Sequence, residues 1–370
     1  MKIVIAPDSF KGTLTAAEVC EILTRAFASV FPGVETQSLP LADGGEGMAR
    51  AWAAACGGGL RCAAVAGPYG EPAEAEYLLL PDGTAVLETA SCAGLEQARP
   101  RGLNPEETTT RGLGELLLAA RDAGAARILL GLGGSATNDA GCGMAHALGW
   151  RFFDSAGRSF CPAGGTLGNI ARVVPPEEPF DLPVTAACDV QAPLFGPEGA
   201  AYVYAPQKGA DTAMVQRLDE GLRHIAQLHA PDLADEPGAG AAGGLGFGVM
   251  AFLGGGLRPG VDLLLDCAGF DGMLAGAALV ITGEGRMDAQ TLQGKAPCGV
   301  LRRAQAQGVP VIGVCGCTGQ GTGALLAAGF LGIYPAVEGR KPLEELRRTC
   351  REDLYAAALK AAGDFSGKYS

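Results

Sequence analysis

One stretch, residues 127–139, constrains the fold and the function of this chain more than any other. It reads Arg-Ile-Leu-Leu-Gly-Leu-Gly-Gly-Ser-Ala-Thr-Asn-Asp, and its apolar run predicts a buried strand at 128–130 that ends in a glycine turn. A turn between a strand and a helix exposes backbone N–H groups, and glycines let a bulky ligand approach them. The stretch therefore predicts an anion-binding loop, with an ordinary helix cap as the alternative. The candidate donors are Gly133, Gly134, Ser135, Thr137 and Asn138.

The bulk composition is that of a large folded chain. With 370 residues, 48% of them hydrophobic and 18% charged, the chain is long and apolar enough for two domains. A net charge of −12 without a basic run argues against a nucleic-acid partner. No apolar run reaches the roughly 18 residues of a membrane span, so we expect no membrane partner. Twelve cysteines without a CxxC pair favour reduced thiols in a cytoplasmic protein.

A second candidate loop follows the first predicted strand, residues 2–6. Asp8, Ser9 and Lys11 come directly after this strand. Open α/β sheets bind ligands at the carboxyl ends of their strands, so we expect these side chains to bind substrate or phosphate. The alternative is that Asp8 and Ser9 only order the turn while Lys11 is solvated.

Carboxylates mark two further loops. Asp43 and Glu46 lie among glycines after the second predicted strand, and Asp189 follows an apolar strand at 183–188. Carboxylates at such positions can hold Mg²⁺ or accept a proton from an alcohol. A plain helix cap by Asp43 is the alternative for the first of them. Lys208, in a later loop, is expected to be merely solvated.

The strand predicted at 278–281 begins a parallel α/β pattern. The loop after it carries Arg286, Asp288 and Lys295, and a helix and another strand follow. The P-loop signature is absent, since Lys295 is not followed by Ser or Thr.

A glycine-rich segment at 238–246 formally matches the dinucleotide fingerprint. It lacks the strand that must precede that motif, so a nucleotide-dependent oxidoreductase is disfavoured. We favour a substrate-facing loop or a hinge there, with close backbone packing as the alternative.

Taken together, these loops resemble the motifs of the bacterial glycerate kinase family. The resemblance implies an α/β fold with a Rossmann-like parallel-sheet domain built from both chain ends, 1–62 and 270–370. A second α/β domain would be inserted at 63–269, and residues 105–148 could pack with either domain. The matching stretches, in the family's order, are Ile5–Leu14, Leu39–Gly47, Gly131–Asp139, Pro206–Gly209, Gly238–Gly246 and Thr282–Lys295.

The activity implied by the resemblance is ATP-dependent, Mg²⁺-assisted phosphorylation of D-glycerate to 2-phosphoglycerate. Such in-line transfer, here expected in an interdomain cleft, needs positioned substrates, neutralised phosphate charge and an acceptor for the alcohol proton. The cations assigned to phosphate or substrate-carboxylate charge are Lys11, Arg286 and Lys295. The acids assigned to Mg²⁺ are Asp43, Asp189 and Asp288, and the catalytic set is Asp43, Asp189 and Lys11.

Two other functions stay open beside this one. A glycerate 3-kinase would give 3-phosphoglycerate, because the sequence does not fix which hydroxyl receives the phosphate. A non-catalytic module that senses small acids could use the same fold. The oligomeric state is also open, with a homodimer as one option.

The chain departs from the family's usual motifs in three places. Ala140 stands where glycine is common, which is a mild change. Ala289 also stands where glycine is common, so the backbone should be less free there. Gln191-Ala192 stands where Asp-Asn is common, which removes the usual side chains there but retains Asp189.

Overall fold

The chain folds into sheets of mainly parallel strands with helices on their faces, as seen in a computed structural model that describes residues 1–41, 47–339 and 341–369. The α/β class predicted from the sequence is confirmed. The strands of these ranges are β1 (Lys2–Ile5), β2 (Glu35–Ser38), β3 (Gly59–Ala66), β4 (Pro72–Leu79), β5 (Thr84–Glu88), β6 (Arg127–Gly131), β7 (Arg151–Phe153), β8 (Ser159–Phe160), β9 (Arg172–Val174), β10 (Val184–Ala187), β11 (Gly256–Arg258), β12 (Ala277–Thr282), β13 (Arg286–Met287), β14 (Val311–Cys315), β15 (Cys317–Thr318) and β16 (Phe330–Pro335).

The helices connect these strands and cover the sheets. They are α1 (Ala16–Val30), α2 (Met48–Cys56), α3 (Ala90–Ala93), α4 (Leu95–Ala98), α5 (Arg111–Asp122), α6 (Cys142–Ala147), α7 (Ala200–Tyr204), α8 (Thr212–His229), α9 (Ala241–Leu253), α10 (Gly260–Cys267), α11 (Phe270–Leu274), α12 (Ala296–Ala306), α13 (Thr322–Ala327) and α14 (Leu343–Tyr369). Judged on its described residues, none of these helices is both long and apolar enough to cross a bilayer.

By packing, the chain divides into two units. The first consists of Met1–Asp43 and Val261–Ser370, and the second is the continuous segment Gly44–Gly260. The second unit starts earlier than the boundary predicted after residue 62, because α2 packs on β4 and β5. The first unit resumes earlier than the boundary predicted before residue 270, because Arg302 of α12 pairs with an α10 carboxylate.

The first unit has a five-stranded parallel sheet in the order β16-β14-β12-β1-β2. The chain moves outward from β1 to β2 on one side and from β12 to β16 on the other, so the strand order reverses between β1 and β12. Open α/β sheets bind their ligands outside the carboxyl ends of the strands at such a reversal. Asp8 N donates to Gly283 O at 2.8 Å, which joins the loops that follow β1 and β12.

Helices α1 and α14 pack together over one face of this sheet. Thr15 and Glu18 form a reciprocal capping box that starts α1, since each side chain accepts the other's backbone N–H. The apolar face of α1, including Leu23 and Phe27, is buried against Leu354 of α14 and strand residues such as Ile5.

The second unit has a six-stranded sheet in the order β11-β10-β6-β5-β4-β3. Strands β11, β10, β6 and β5 run parallel, whereas β4 and β3 are antiparallel additions at one edge. The buried strand predicted at 128–130 is β6, between β5 and β10. Because parallel strands end at one edge, the loop after β6, the end of β5 and Asp189 after β10 all lie along that edge.

Candidate functional site

The loop after β6 presents free backbone donors. Leu95 N donates to Gly134 O and Ala136 N donates to Ala93 O, both at 2.8 Å, so the loop is held against α3 and α4. Gly134 has φ of 72°, a conformation that glycine adopts without strain. The N–H groups of residues 133–135 find no hydrogen-bond acceptor among the described residues. Three consecutive unpaired N–H groups in a turn are the kind of donor set that can bind an anion.

The hydroxyls of this loop are directed into the protein. Ser135 is 4% exposed and Thr137 is fully buried, and their hydroxyl oxygens lie 3.0 Å apart. Ser135 Oγ also donates to Ala242 O at 3.2 Å. The two side chains therefore shape the loop, and the donors that it leaves unpaired are backbone N–H groups.

Asn138 is buried with its side-chain amide unsatisfied. Its exposure is 0%, and neither Nδ2 nor Oδ1 has a hydrogen-bond partner in the described part of the chain. A buried amide without partners costs about 1–3 kcal/mol, and in native proteins it marks a place for a water or a ligand. Asn138 thus remains a candidate binding residue.

Lys208 is the functional candidate whose surroundings the sequence analysis misjudged. It was expected to be solvated, but its side chain is 2% exposed and Nζ donates to Thr137 O at 2.6 Å. Burial lowers the pKa of Lys208 to about 7, and the charge of Asp139 opposes that shift. The sequence signal that could have indicated a role for Lys208 is its place in Pro206–Gly209, one of the motifs shared with the glycerate kinase family.

Asp139 fixes the other end of the loop. Its carboxylate is fully buried and accepts hydrogen bonds from Thr110 N at 2.7 Å, Thr110 Oγ1 at 2.9 Å and Thr109 Oγ1 at 3.3 Å. The N–H groups of Gly141 and Gly143 also donate to it, each at 3.2 Å. Burial raises the pKa of Asp139, and these hydrogen bonds act in the opposite direction.

The glycine-rich segment 238–246 packs its backbone directly on this loop. A Cβ at Gly243 would lie 1.9 Å from Thr137 O, and a Cβ at Gly240 would lie 2.2 Å from Pro193 O. Close backbone packing, the alternative that we ranked second, therefore explains these glycines. The substrate-facing loop or hinge that we favoured is not needed to account for them.

Backbone strain is concentrated where the two glycine segments meet. Ala140 and Ala242 both have φ of 53°, in the left-handed region that alanine rarely adopts. Ala140 N donates to Gly243 O at 3.2 Å, which joins the two segments. Ala140, which departs only mildly from the motif, is thus a strained residue, and such residues cluster at functional sites.

Two carboxylates lie near this edge of the second unit. Asp189 is exposed and accepts a hydrogen bond from Gly260 N at 3.0 Å. Glu88, which the sequence analysis did not single out, accepts from Gly47 N and Ala49 N, both at 2.7 Å. Glu88 therefore anchors the N-terminus of α2, and no local sequence signal predicts a partner about forty residues away.

In the first unit, the loop after β1 is a tight turn. Phe10 N donates to Leu14 O at 2.8 Å, and Asp8 Oδ1 accepts from Ser9 N at 2.6 Å. Asp8 is 8% exposed, whereas Lys11 is exposed. These three predicted residues, Asp8, Ser9 and Lys11, lie at the reversal point of the sheet.

The loop after β12 faces the same reversal point with its charges already paired. Lys295 Nζ lies 2.9 Å from Glu284 Oε2, and Thr291 Oγ1 donates to Glu284 Oε1 at 2.7 Å. Arg286 Nε lies 3.1 Å from Asp288 Oδ2. The predicted cations Arg286 and Lys295 are thus positioned by carboxylates, one of which, Glu284, the sequence analysis had not assigned.

The predicted magnesium ligands differ in their surroundings. Asp288 uses Oδ1 to accept from Gln290 N at 2.9 Å and Oδ2 to pair with Arg286, so both oxygens are engaged. Asp189 is exposed and suits a hydrated cation better. Among the described residues, no group of three or more His, Cys, Asp or Glu side chains is arranged to hold a metal. Asp43 lies outside the described residues.

Comparison with known proteins agrees with this picture. The profile of the glycerate kinase family matches residues 3–365. A glycerate kinase of Bacillus subtilis is 43% identical over 98% of both chains. A glycerate 2-kinase of Escherichia coli is 41% identical over 98% of this chain and 99% of its own length.

A solved structure shares the fold. The crystal structure of a glycerate kinase 2 from Salmonella typhimurium superimposes with a TM-score of 0.85, at 39% identity, over 100% of this chain and 99% of the other. The similarity therefore covers almost the whole of both chains. The family profile and these relatives show that the protein belongs to the glycerate kinase family.

Proposed function

We propose that the protein transfers the γ-phosphate of ATP to D-glycerate, with 2-phosphoglycerate as the product and Mg²⁺ as the cofactor. The observation that carries this proposal is the row of unpaired N–H groups at 133–135, with the buried Lys208 bonded to the same loop. Backbone donors next to a cation bind phosphoryl or carboxylate oxygens. The 2-phosphate product is favoured by the Escherichia coli relative, a glycerate 2-kinase.

The chain's own charges would neutralise the anions. Lys11, Arg286 and Lys295 all lie in loops at the reversal point of the first sheet, where an open α/β sheet binds its ligand. An ammonium or guanidinium group there offsets the repulsion between phosphates and an approaching hydroxyl. Asp8 and Ser9 would bind substrate in the same loop.

Asp189 or Asp43 would hold Mg²⁺. Such an ion usually binds through one or two carboxylates and the substrate phosphates, and it neutralises charge on the transferred group. Asp288 is a weaker ligand candidate, because its oxygens pair with Arg286 and cap a turn. Asp43 or Asp189 would also accept the proton of the glycerate hydroxyl as the oxygen attacks phosphorus.

A coupled assay for ADP release tests the proposal. We expect ADP release from MgATP with D-glycerate but not without it, and ³¹P NMR should identify the product as 2-phosphoglycerate. Accumulation of 3-phosphoglycerate would establish the 3-kinase alternative instead. Glycerate binding without ADP release would establish the sensing module. A cytoplasmic location and a homodimer stay predictions, and light scattering tests the second.

A further inference from the structure

The second unit contains a single lysine, and that lysine is buried. Lys208 is the only lysine in the sequence between Lys11 and Lys295. Lysines are almost never fully buried unless they are paired, since removing an ammonium from water is costly. Its 2% exposure therefore calls for a compensating interaction.

The direct partner of Lys208 is a backbone carbonyl of the anion-binding loop. Nζ donates to Thr137 O at 2.6 Å, two residues beyond the last unpaired N–H group. Within the described ranges, no carboxylate lies within the 4 Å of an ion pair with Lys208. A carbonyl supplies only a partial negative charge, so the ammonium is incompletely neutralised.

Asp139 is the charged group whose field reaches Lys208. Its two oxygens accept hydrogen bonds from the Thr109, Thr110, Gly141 and Gly143 donors described above. The carboxylate is therefore committed to the threonines before α5 and to the backbone just after Asp139, and none of its described hydrogen bonds is to Nζ. The charge of Lys208 remains available to a ligand.

Asn138 provides a second and independent observation. It adjoins Thr137, it is fully buried, and neither polar atom of its side chain has a partner among the described residues. A loop that carries an unsatisfied amide and receives a hydrogen bond from an under-neutralised ammonium is incomplete without a further polar group.

We propose that Lys208 is a positioning residue of this loop, which holds the Thr137 carbonyl in place and whose positive charge is completed by the anion that binds at residues 133–135. The identity of that anion, a phosphate of ATP or the carboxylate of glycerate, rests on the proposed function. Because the anion stabilises the protonated amine, its binding is accompanied by proton uptake at Lys208. The low pKa of the buried amine makes that uptake measurable near neutral pH.

NMR of protein labelled with ¹³Cε-lysine tests this directly, because the sequence has only seven lysines. We expect one resonance, absent from Lys208→Met, to titrate with a midpoint near neutral pH. MgADP, D-glycerate and inorganic phosphate are then added separately. The probe that binds in the loop should raise the midpoint by about one pH unit or more. A midpoint that no bound probe moves would overturn the proposal.

These measurements do not depend on turnover. If the protein fails to phosphorylate D-glycerate, the proposed function fails, while the response to MgADP or phosphate still decides the role of Lys208. If Lys208→Met does not fold, the NMR titration of the wild-type protein still decides the role of Lys208.

Kinetics of Lys208→Met separate positioning from a merely structural role. We expect the folded variant to lose about 10²-fold in kcat/KM, as for loss of one preorganised electrostatic contact. For the wild type we expect anion affinity to decline above neutral pH, as Lys208 loses its proton. The variant should not show this decline. Lys360→Met, in which an exposed lysine of α14 is replaced, is the matched control and should behave as wild type. If folded Lys208→Met has the same kcat/KM as the wild type throughout pH 6–9, the proposal is contradicted.

Discussion

The Lys295 ammonium lies 2.9 Å from the Glu284 carboxylate, whose other oxygen accepts a hydrogen bond from Thr291. A cation assigned to phosphate is thus oriented by a carboxylate that is itself anchored. Glu284 has a side chain only 12% exposed, whereas that of Lys295 is 41% exposed. The Glu284 carboxylate is therefore a nearly buried structural group, whereas the Lys295 ammonium is accessible to solvent.

A double-mutant cycle tests this pair. Lys295→Met should lower the free energy of unfolding by about 1–3 kcal/mol, because it leaves a nearly buried carboxylate unpaired. Adding Glu284→Gln should restore most of that stability but not the activity, which should stay about 10²-fold or more below wild type. Urea unfolding and steady-state kinetics measure the two effects. Recovery of activity in the double variant would show that Lys295 does not act on phosphate.

Asp189→Asn tests the proposed carboxylate at the edge of the second sheet. We expect kcat to fall about 10²- to 10³-fold while the melting temperature changes little, because the amide oxygen of asparagine can still accept the hydrogen bond from Gly260 N. Asp181→Asn, at another exposed acid, is the control and should be silent. Near-normal turnover of both Asp189→Asn and Asp43→Asn would exclude these acids as the metal-holding and proton-accepting groups.

Gly243→Ala tests the packing of the two glycine segments. The added methyl would lie 1.9 Å from Thr137 O, so the anion-binding loop must shift. We expect a loss of more than about 2 kcal/mol in unfolding free energy, together with reduced activity. Gly254→Ala has a similar positive φ of 61° but no atom within 4 Å of its Cβ. This control should cost only about 1–2 kcal/mol of backbone strain and leave activity intact.

Glu88→Gln tests the anchor of α2. The carboxylate accepts two backbone N–H groups at a helix N-terminus, so its neutralisation should cost about 1–2 kcal/mol. Glu76→Gln breaks only an exposed ion pair with Arg50, in which the arginine side chain is 73% exposed. That control should change stability by less than about 1 kcal/mol. Equal effects in urea titrations would contradict a special role for Glu88.

The pH dependence of stability should reveal the buried Lys208. Its folded pKa is about 7, below the roughly 10.4 of an unfolded lysine, so the unfolded chain binds more protons between these values. The free energy of unfolding of wild type, relative to Lys208→Met, should therefore rise as pH increases from about 7 to 10. Below pH 7 the difference should be constant, since both states are then protonated. Urea titrations of both proteins at several pH values measure it.

Local patterns predicted much of this fold. The apolar run at 128–130 and the following glycines correctly indicated a buried strand and a turn, because side-chain periodicity and φ requirements are properties of neighbouring residues. The same holds for the alternation of strands and helices after residue 277.

Contacts between distant residues could not be predicted in this way. A lysine in a loop is normally solvated, and only the packing of the 206–208 turn on the loop after β6 buries Lys208. The arrangement of strands in the sheet brings Glu88 within hydrogen-bonding distance of Gly47 N. It likewise packs segment 238–246 against Thr137. The spacing of glycines alone does not show whether they allow a ligand or another backbone segment to approach closely.

The position of β1 inside its sheet, between β2 and β12, has a consequence for biosynthesis. Its neighbours are β2, made soon afterwards, and β12, which begins at Ala277. At ribosomal rates of about 5–20 residues per second, the edge that receives β12 waits roughly 15 to 55 seconds for its partner. All strands of the intervening continuous unit, β3 to β11, are synthesised before β12. A nascent chain released before β12 therefore carries an unpaired apolar strand edge, the kind of surface that chaperones cover and that aggregates form on.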